Sequence, residues 1–138
     1  MRKIFVDTSG WANFFDTDEP FHSQTRAIYE HARNEGTRLV TTNCVIAELV
    51  SLFTSPFRIS RPRIIEYIEV IKRSPSIDLI HIDQRLDSQA WNLLTERPDK
   101  KWSLVDCSSF VIMQNEGISD SLTTDHHFEQ AGFIKLLK

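Results

Sequence analysis

Four acidic residues are candidates for a metal-binding or catalytic role because of their sequence positions: Asp7, Glu48, Asp106 and Asp125. Glu48 lies within the run NCVIAELVSLF, and an apolar residue stands on either side of it. Its helical neighbours Val45, Leu49 and Leu52 predict that this face turns inward. Because burial of an unpaired carboxylate is costly, we expect Glu48 to meet a cation, a proton or a metal ion.

The other three acids are predicted to lie at the ends of secondary-structure elements. Asp7 closes the β-rich run KIFVD, and Asp125 closes the run SLTTD. In open α/β sheets, ligands bind at the carboxyl ends of the strands. Asp106 falls in the first turn of a helix, on the stripe that carries Phe110 and Met113. We therefore expect the four carboxylates to converge on one crevice.

Each acid also has a purely structural interpretation. Asp106 follows Ser103 by three residues, which is the S-x-x-D spacing of a capping box. Asp7 and Asp125 could serve as ordinary turn or N-cap residues. Glu48 could form a buried ion pair with an arginine. The residues alone leave these alternatives open.

Convergence of the acids would itself require a positive charge. Mutual repulsion raises the pKa values of clustered carboxylates unless cations bind them. Oxygen ligands without histidine or cysteine suit Mg²⁺ or Mn²⁺ better than Zn²⁺. Such an ion can activate a water molecule and stabilise charge during attack on a phosphodiester. The sequence thus favours metal-dependent phosphoryl chemistry without a covalent nucleophile.

Alternating strands and helices must position these residues, and they predict a mostly parallel sheet covered on both faces. The β-rich runs are KIFVD, RLVTT, IDLIHI, SLTTD and FIKLL. Three helices are predicted in the first half of the chain: one in TSGWANFF, one between Pro20 and Gly36, and one that follows Asn43, which is its predicted N-cap. Three more are predicted in RPRIIEYIEVIKRS, over residues 84–96 and from Ser103 to Gly117.

Composition sets the class of protein. The chain has 138 residues, 41% of them hydrophobic, which predicts a single domain over 1–138. Neither a run of eighteen apolar residues nor a signal peptide is present, so we expect a cytoplasmic protein without a membrane segment. Cys44 and Cys107 lack metal-ligand spacing and are predicted to be small buried hydrophobes. The net charge of −3 argues against nucleic-acid binding through bulk positive charge.

Three blocks of the sequence resemble the PIN-domain family, and more narrowly its VapC-like single-domain members. The blocks are FVDTSGW, VIAELV and SLVDCSSFVIMQNEGISDSLTTDHHFEQAGF. Residues 56–101 match only as generic helix and strand. The family's four acids carry over to Asp7, Glu48, Asp106 and Asp125. Its supporting hydroxyl carries over to Ser9, with Thr8 beside it, and Thr124 falls at another position where the family often has a hydroxyl.

The resemblance implies a fold, an activity and partners. The fold is a three-layer α/β/α sandwich around a central, mostly parallel sheet of four or five strands. The activity is that of an endoribonuclease that depends on Mg²⁺ or Mn²⁺ bound by the four acids. The partners are an RNA substrate, a cognate antitoxin that neutralises the toxin, and a second copy of the chain in a homodimer.

Basic residues near the predicted helix starts are candidate RNA contacts. One cluster holds Arg58, Arg61 and Arg63; the other, RPDKKW, holds Arg97, Lys100, Lys101 and Trp102. Cations can hold phosphates that flank the scissile bond, and Trp102 could stack on an unpaired base. The alternative is a solvated loop with a tryptophan in the core.

Two further groups have open interpretations. His126 and His127 follow Asp125 and could bind metal or phosphate, or lie exposed at a helix start. Trp11, Phe14 and Phe15 could belong to the core or to an apolar groove for an antitoxin helix or a second copy.

Two other classes of protein remain as alternatives. A phosphatase or phosphoacceptor domain also uses acids at strand ends, but the D-x-D pattern of haloacid dehalogenases is absent because Thr8 and Ser9 follow Asp7. A catalytically silent module could bind RNA or protein with the same fold. The four acids count against it, since a silent site has no physical reason to retain them.

Overall fold

Strands and helices alternate through most of the chain. A computed structural model describes residues 2–138. The elements are β1 (Lys3–Val6), α1 (Thr8–Phe15), α2 (His22–Asn34), β2 (Arg38–Thr42), α3 (Asn43–Thr54), α4 (Arg61–Arg73), β3 (Ile77–Ile80), α5 (Gln84–Glu96), α6 (Leu104–Glu116), β4 (Asp120–Leu122), α7 (His126–Gln130) and β5 (Ile134–Lys135).

The five strands form one sheet in the order β3-β2-β1-β4-β5. Every pairing is parallel, so the prediction of a mostly parallel sheet of four or five strands is confirmed. Ile4, Phe5 and Val6 of β1 are all buried. Successive strand residues point to opposite faces, so both faces of the central strand are covered. This burial is what the predicted α/β/α layering requires.

An aromatic cluster joins α1 to its neighbouring helices. Trp11 and Phe14 are buried, which confirms their interpretation as core residues. Phe15 is partly exposed and stacks on Tyr67, with ring centroids 4.5 Å apart. Its ring also meets that of Phe53 edge-on. The cluster fixes α1, which begins at the carboxyl end of β1, against α3 and α4.

Several local predictions are wrong. The N-cap of α3 is Thr42, whose hydroxyl accepts from the Val45 backbone N–H; Asn43 instead accepts from the Ile82 N–H at 2.7 Å. Strand β4 ends at Leu122, three residues before Asp125. A β-rich run specifies a strand but not the residue at which its pairing ends.

The two cysteines differ in exposure. Cys107 is buried as predicted, and burial raises the pKa of its thiol to about 11. Cys44 is only partly buried, so its predicted full burial is wrong. Among residues 2–138, no helix combines the length and apolar character needed to cross a bilayer.

Candidate active site

The pairing of β1 with β4 brings a residue near the N-terminus of the chain, Asp7, next to one in its C-terminal part, Thr123. Val6 pairs with Leu122, so Asp7 and Thr123 leave the sheet side by side. Asp7 then caps α1 by accepting from the Gly10 N–H at 3.0 Å. Asp125 caps α7 by accepting from the His127 N–H at 2.9 Å. Both acids thus lie at the carboxyl edge of the central strands, where the sequence places them.

Gly10 permits this close approach of α1 to β4. A Cβ atom at this position would lie 2.1 Å from the Leu122 carbonyl oxygen. Since backbone cannot yield as a flexible side chain can, any larger residue would force α1 away from the strand. Glycine here keeps the first turn of α1, with Thr8 and Ser9, against the edge that holds Asp7.

Asp7 is a buried carboxylate surrounded by donors. Ser9 Oγ donates to its Oδ1 at 2.8 Å, and Thr123 Oγ1 donates to its Oδ2 at 2.8 Å. Desolvation raises the pKa of Asp7 to about 7, against the lowering effect of the donors Gly10, Thr123 and Ser9. The negative charge of Asp125 makes a smaller contribution to the same rise in pKa. This carboxyl holds a proton far more readily than an exposed aspartate does.

Two hydroxyl groups link Asp7 to Asp125. Ser9 Oγ lies 3.1 Å from Thr123 Oγ1 and accepts from the Thr124 backbone N–H at 3.0 Å. Thr123 Oγ1 also accepts from the Asp125 N–H at 2.9 Å. Thr123, which the sequence analysis did not name, supplies the hydroxyl that contacts Asp7. Sequence reasoning missed it because only the register of β4 on β1 identifies the neighbour of Asp7.

Glu48 lies on the rim of this site and is exposed, so its predicted burial is wrong. Val45 and Leu49 are completely buried, and they take the inward face of α3. Glu48 lies on the flank of that face, since successive helical residues are about 100° apart. The Thr8 hydroxyl donates to Glu48 Oε1, which fixes the carboxylate beside the first turn of α1.

Asp106 has a capping role and also faces the other acids. The predicted capping box is confirmed: Ser103 N–H donates to Asp106 Oδ2 at 3.1 Å, and Asp106 N–H donates to Ser103 Oγ at 3.0 Å. The same Oδ2 lies 3.0 Å from Nδ1 of His127. That nitrogen is 3.4 Å from Asp125 Oδ1. His127 therefore bridges two of the four acids, and it is partly buried between them.

Contacts join the four acids, but their carboxylates are not tightly gathered. Thr8 reaches Glu48, Thr123 joins Asp7 to Asp125, and His127 joins Asp125 to Asp106. Within residues 2–138, no three of the four acids have ligand atoms all within 4.8 Å of one another. Over the same residues, no lysine or arginine forms an ion pair with any of them. An oxygen-rich site with uncompensated negative charge fits a hard divalent cation.

The candidate basic residues lie on the loops before α4 and α6 and at the start of α4. Arg97 pairs with Asp99 at 3.1 Å, and its guanidinium lies 5.3 Å from the centroid of the Trp102 ring. Lys101 is exposed and Lys100 is partly exposed. Arg58 is exposed with φ 57°, and Arg61 donates to Thr54 Oγ1 at 3.3 Å.

Trp102 is buried, with 8% of its surface exposed. Its ring packs on Phe110, and its Nε1 donates to Gln130 Oε1 at 3.1 Å. Stacking of this ring on an RNA base is therefore not available, and the alternative of a core tryptophan is correct. The residue instead ties the loop before α6 to the end of α7, which helps to place Asp106 near His127.

Comparison with known proteins identifies the family. The family model described as the PIN domain matches residues 4–134. The chain belongs to the PIN-domain family. The matched span contains all four acids as well as Ser9 and Thr123. The family expected from the three sequence blocks is therefore confirmed.

Two relatives and one solved structure from Mycobacterium tuberculosis are similar to this chain over nearly its whole length. Proteins named 23S rRNA-specific endonuclease VapC20, from strains H37Rv and CDC 1551, are 28% identical over 133 residues, or 96% of this chain and 97% of the relative. A crystal structure described as VapC20, a sarcin-ricin loop cleaving toxin, superposes with a TM-score of 0.84 at 26% identity. It covers 96% of this PIN domain and 97% of the solved chain. The three-layer PIN fold is thus shown over nearly the whole sequence.

Proposed function

We propose that this PIN domain is an endoribonuclease that depends on Mg²⁺ or Mn²⁺. The environment of Asp7 is the observation that carries the proposal. Its carboxylate is buried near Asp125, and its pKa is raised to about 7. Among residues 2–138, no lysine, arginine or histidine forms an ion pair with it. A positive ion at this position would recover the free energy that desolvation costs. Homology to a family of nucleases, and to VapC20 in particular, supports RNA as the substrate.

Four acids would hold the ion: Asp7, Glu48, Asp106 and Asp125. When bound, it would activate a water molecule and stabilise charge on the phosphate and the leaving 3′ oxygen. Ser9 and Thr123 fix the orientation of Asp7, since they donate to different oxygens of its carboxylate. Thr8 holds Glu48 at the rim, so that an exposed carboxylate is presented with little freedom to rotate. The chain's own contribution is to orient Asp7 and Glu48; the carboxylates would have to move closer together around an ion, since over residues 2–138 no three of the four acids have ligand atoms all within 4.8 Å of one another.

The substrate proposed here is a loop in structured RNA. The VapC20 relatives are named for 23S rRNA, and the solved one for the sarcin-ricin loop. Splayed loop bases and their phosphates are accessible to side chains, whereas paired bases in A-form helices are not. Arg58, Arg61, Lys100 and Lys101 would hold flanking phosphates. Exposure of Arg58 and Lys101 supports this role, and the buried Trp102 has no part in it.

Partners of the nuclease are proposed from its relatives. A toxin of this type would act in the cytoplasm, be inhibited by a cognate antitoxin and form a homodimer. Exposed apolar side chains on α4 and α5 support such contacts: Ile65 and Trp91 are each 54% exposed.

Cleavage of end-labelled RNA tests the proposed activity. Purified protein is incubated with a sarcin-ricin loop, other structured RNAs and unstructured RNA, in Mn²⁺, Mg²⁺ or EDTA. Asp7→Asn should abolish metal-dependent cuts, because it removes a buried charged ligand. Asp18→Asn changes an exposed acid outside the site and serves as the matched control. Equal cleavage by wild type and Asp7→Asn would contradict the mechanism. Metal binding without cleavage of any RNA would favour a silent binding module.

A further inference from the structure

Three consecutive residues at the start of α7 bring nitrogen ligands to the edge of the acidic site. Over residues 2–138, potential ligand atoms of Asp125, His126 and His127 all lie within 4.8 Å of one another. Oδ1 of Asp125 is 3.7 Å from Nδ1 of His126 and 3.4 Å from Nδ1 of His127. The mechanism proposed above uses Asp125 but neither imidazole.

These separations match the edges of a tetrahedral metal site. Bonds of about 2.0–2.2 Å from Zn²⁺ to nitrogen and oxygen place tetrahedral ligands about 3.4 Å apart. The two measured distances, 3.4 and 3.7 Å, lie close to that edge length. The two imidazole rings are neighbours, with centroids 4.5 Å apart and planes inclined at 52°.

The surroundings leave room for an ion at this point. The His126 side chain is 68% exposed, so a bound ion would keep contact with solvent. A water molecule could supply the fourth ligand; Asp106 Oδ2 lies 3.0 Å from His127 Nδ1 but is not in the group whose ligand atoms all lie within 4.8 Å of one another over residues 2–138. That contact orients the His127 ring toward both carboxylates. Because a ligating nitrogen must be deprotonated, an ion that binds through Nδ1 of His127 displaces the hydrogen bond to Asp106.

We propose that Asp125, His126 and His127 form a transition-metal site of the Zn²⁺ type at the margin of the nuclease centre. Two imidazoles and one carboxylate with an open fourth position are a donor set that suits Zn²⁺, whereas Mg²⁺ takes oxygen ligands. The site differs in donor chemistry from the four acids but shares Asp125 with them. An ion bound here withdraws Asp125 from the acidic site, and so Zn²⁺ opposes the proposed nuclease activity.

Binding of Zn²⁺ and Co²⁺ to untagged protein tests the site independently of RNA cleavage. Co²⁺ in a tetrahedral N/O site absorbs visible light much more strongly than octahedral Co²⁺. We expect one equivalent of Co²⁺ to give this absorption, and Zn²⁺ to displace it because Zn²⁺ binds such sites more tightly. Mg²⁺ at the same concentration should not displace it, because Mg²⁺ takes oxygen ligands. Calorimetry gives the dissociation constant of Zn²⁺ for each variant.

Single substitutions locate the bound ion. His126→Ala and His127→Ala should each weaken Zn²⁺ binding about tenfold or more. The exposed His126 contributes little to packing, so its variant remains folded even if the His127 variant does not. His81→Ala, an exposed histidine outside the cluster, should bind Zn²⁺ as wild type does. Asp7→Asn should also retain Zn²⁺ binding, although it removes a ligand of the proposed nuclease site.

The outcomes distinguish this proposal from the proposed function. Absence of Zn²⁺ binding, or wild-type affinity in the His126 and His127 variants, would overturn the zinc site and leave the nuclease proposal untouched. Loss of binding in Asp7→Asn alone would place the ion among the acids and also overturn the site. Failure of RNA cleavage with histidine-dependent Zn²⁺ binding would overturn only the nuclease.

Discussion

The Thr123 hydroxyl donates a 2.8 Å hydrogen bond to Asp7 Oδ2 across 116 positions of sequence. Both residues follow directly from paired strands, since Val6 is in register with Leu122. This hydrogen bond can therefore form only when β1 and β4 pair in this register. It also orients the most buried carboxylate of the site.

Replacement of Thr123 should separate its effect on the stability of the fold from its effect on the orientation of Asp7. Thr123→Val keeps the shape of the side chain but leaves buried polar groups without their partner, so we expect a loss of about 1–3 kcal/mol in the free energy of unfolding. RNA cleavage should also fall. Thr123→Ser keeps the hydroxyl and should retain most of the activity. Urea denaturation and cleavage rates of the two variants check this, and equal activity of Val and Ser variants would contradict it.

Asp7 should make the ion-free protein less stable as pH rises. Its pKa is raised from 3.8 to about 7 in the folded state, so the folded protein binds this proton more tightly than the unfolded chain does. The contribution of the neutral form is complete below pH 4 and is lost as pH rises through about 7. The full effect would be about 4 kcal/mol for a shift of this size.

The difference in stability between Asp7→Asn and wild type isolates this effect. Asparagine stays neutral, so the variant should be the more stable protein at about pH 8 in EDTA and should lose the advantage at about pH 4. Urea denaturation at both pH values measures the difference. The interpretation of Asp7 would be wrong if that difference did not change with pH.

Divalent ions should stabilise the wild-type protein against heat. An ion that binds only the folded state adds about 2.7 kcal/mol when its concentration is one hundred times the dissociation constant. We expect Mn²⁺ to raise the melting temperature of wild type and of Asp18→Asn, and EDTA to reverse the rise. Asp7→Asn should show little response. A similar rise in all three proteins would indicate that Mn²⁺ binds elsewhere.

Thr8 should matter for activity more than for stability. Within residues 2–138, its hydroxyl is the hydrogen-bond donor that reaches the Glu48 carboxylate. Since Glu48 is exposed, water can replace the lost contact in Thr8→Val, and we expect a stability change under about 1 kcal/mol. Cleavage should fall several-fold because the carboxylate is free to rotate. Thr8→Ser, which keeps the donor, should cleave as wild type does.

Lys101 should contribute to RNA affinity through its charge. Loss of one phosphate contact weakens binding and reduces the dependence of log affinity on log salt concentration by about 0.7 for single-stranded RNA. Lys101→Ala should show both effects in binding measurements at several salt concentrations. Lys72→Ala removes an exposed charge from α4 and should change neither. An unchanged salt dependence in Lys101→Ala would exclude the contact.

The sequence by itself determined the order of elements, the family and the edge of the sheet that holds the acids. Local rules are sufficient for these features: apolar runs specify buried parallel strands, and Ser103 with Asp106 specifies a helix start wherever the helix lies. The three sequence blocks added the identity of the four acids, because spacing alone leaves each with a structural role.

Tertiary structure decided which side chains meet. Helical periodicity predicted that Glu48 lies on the inward face of α3, but the way the helix packs buries Val45 and Leu49 and leaves Glu48 exposed on the flank of that face. Thr123 became the partner of Asp7 through strand register, and Trp102 was buried by α6 and α7. His127 bridges Asp106 and Asp125 because two helix starts converge. Such contacts join residues far apart in sequence, so local patterns do not encode them.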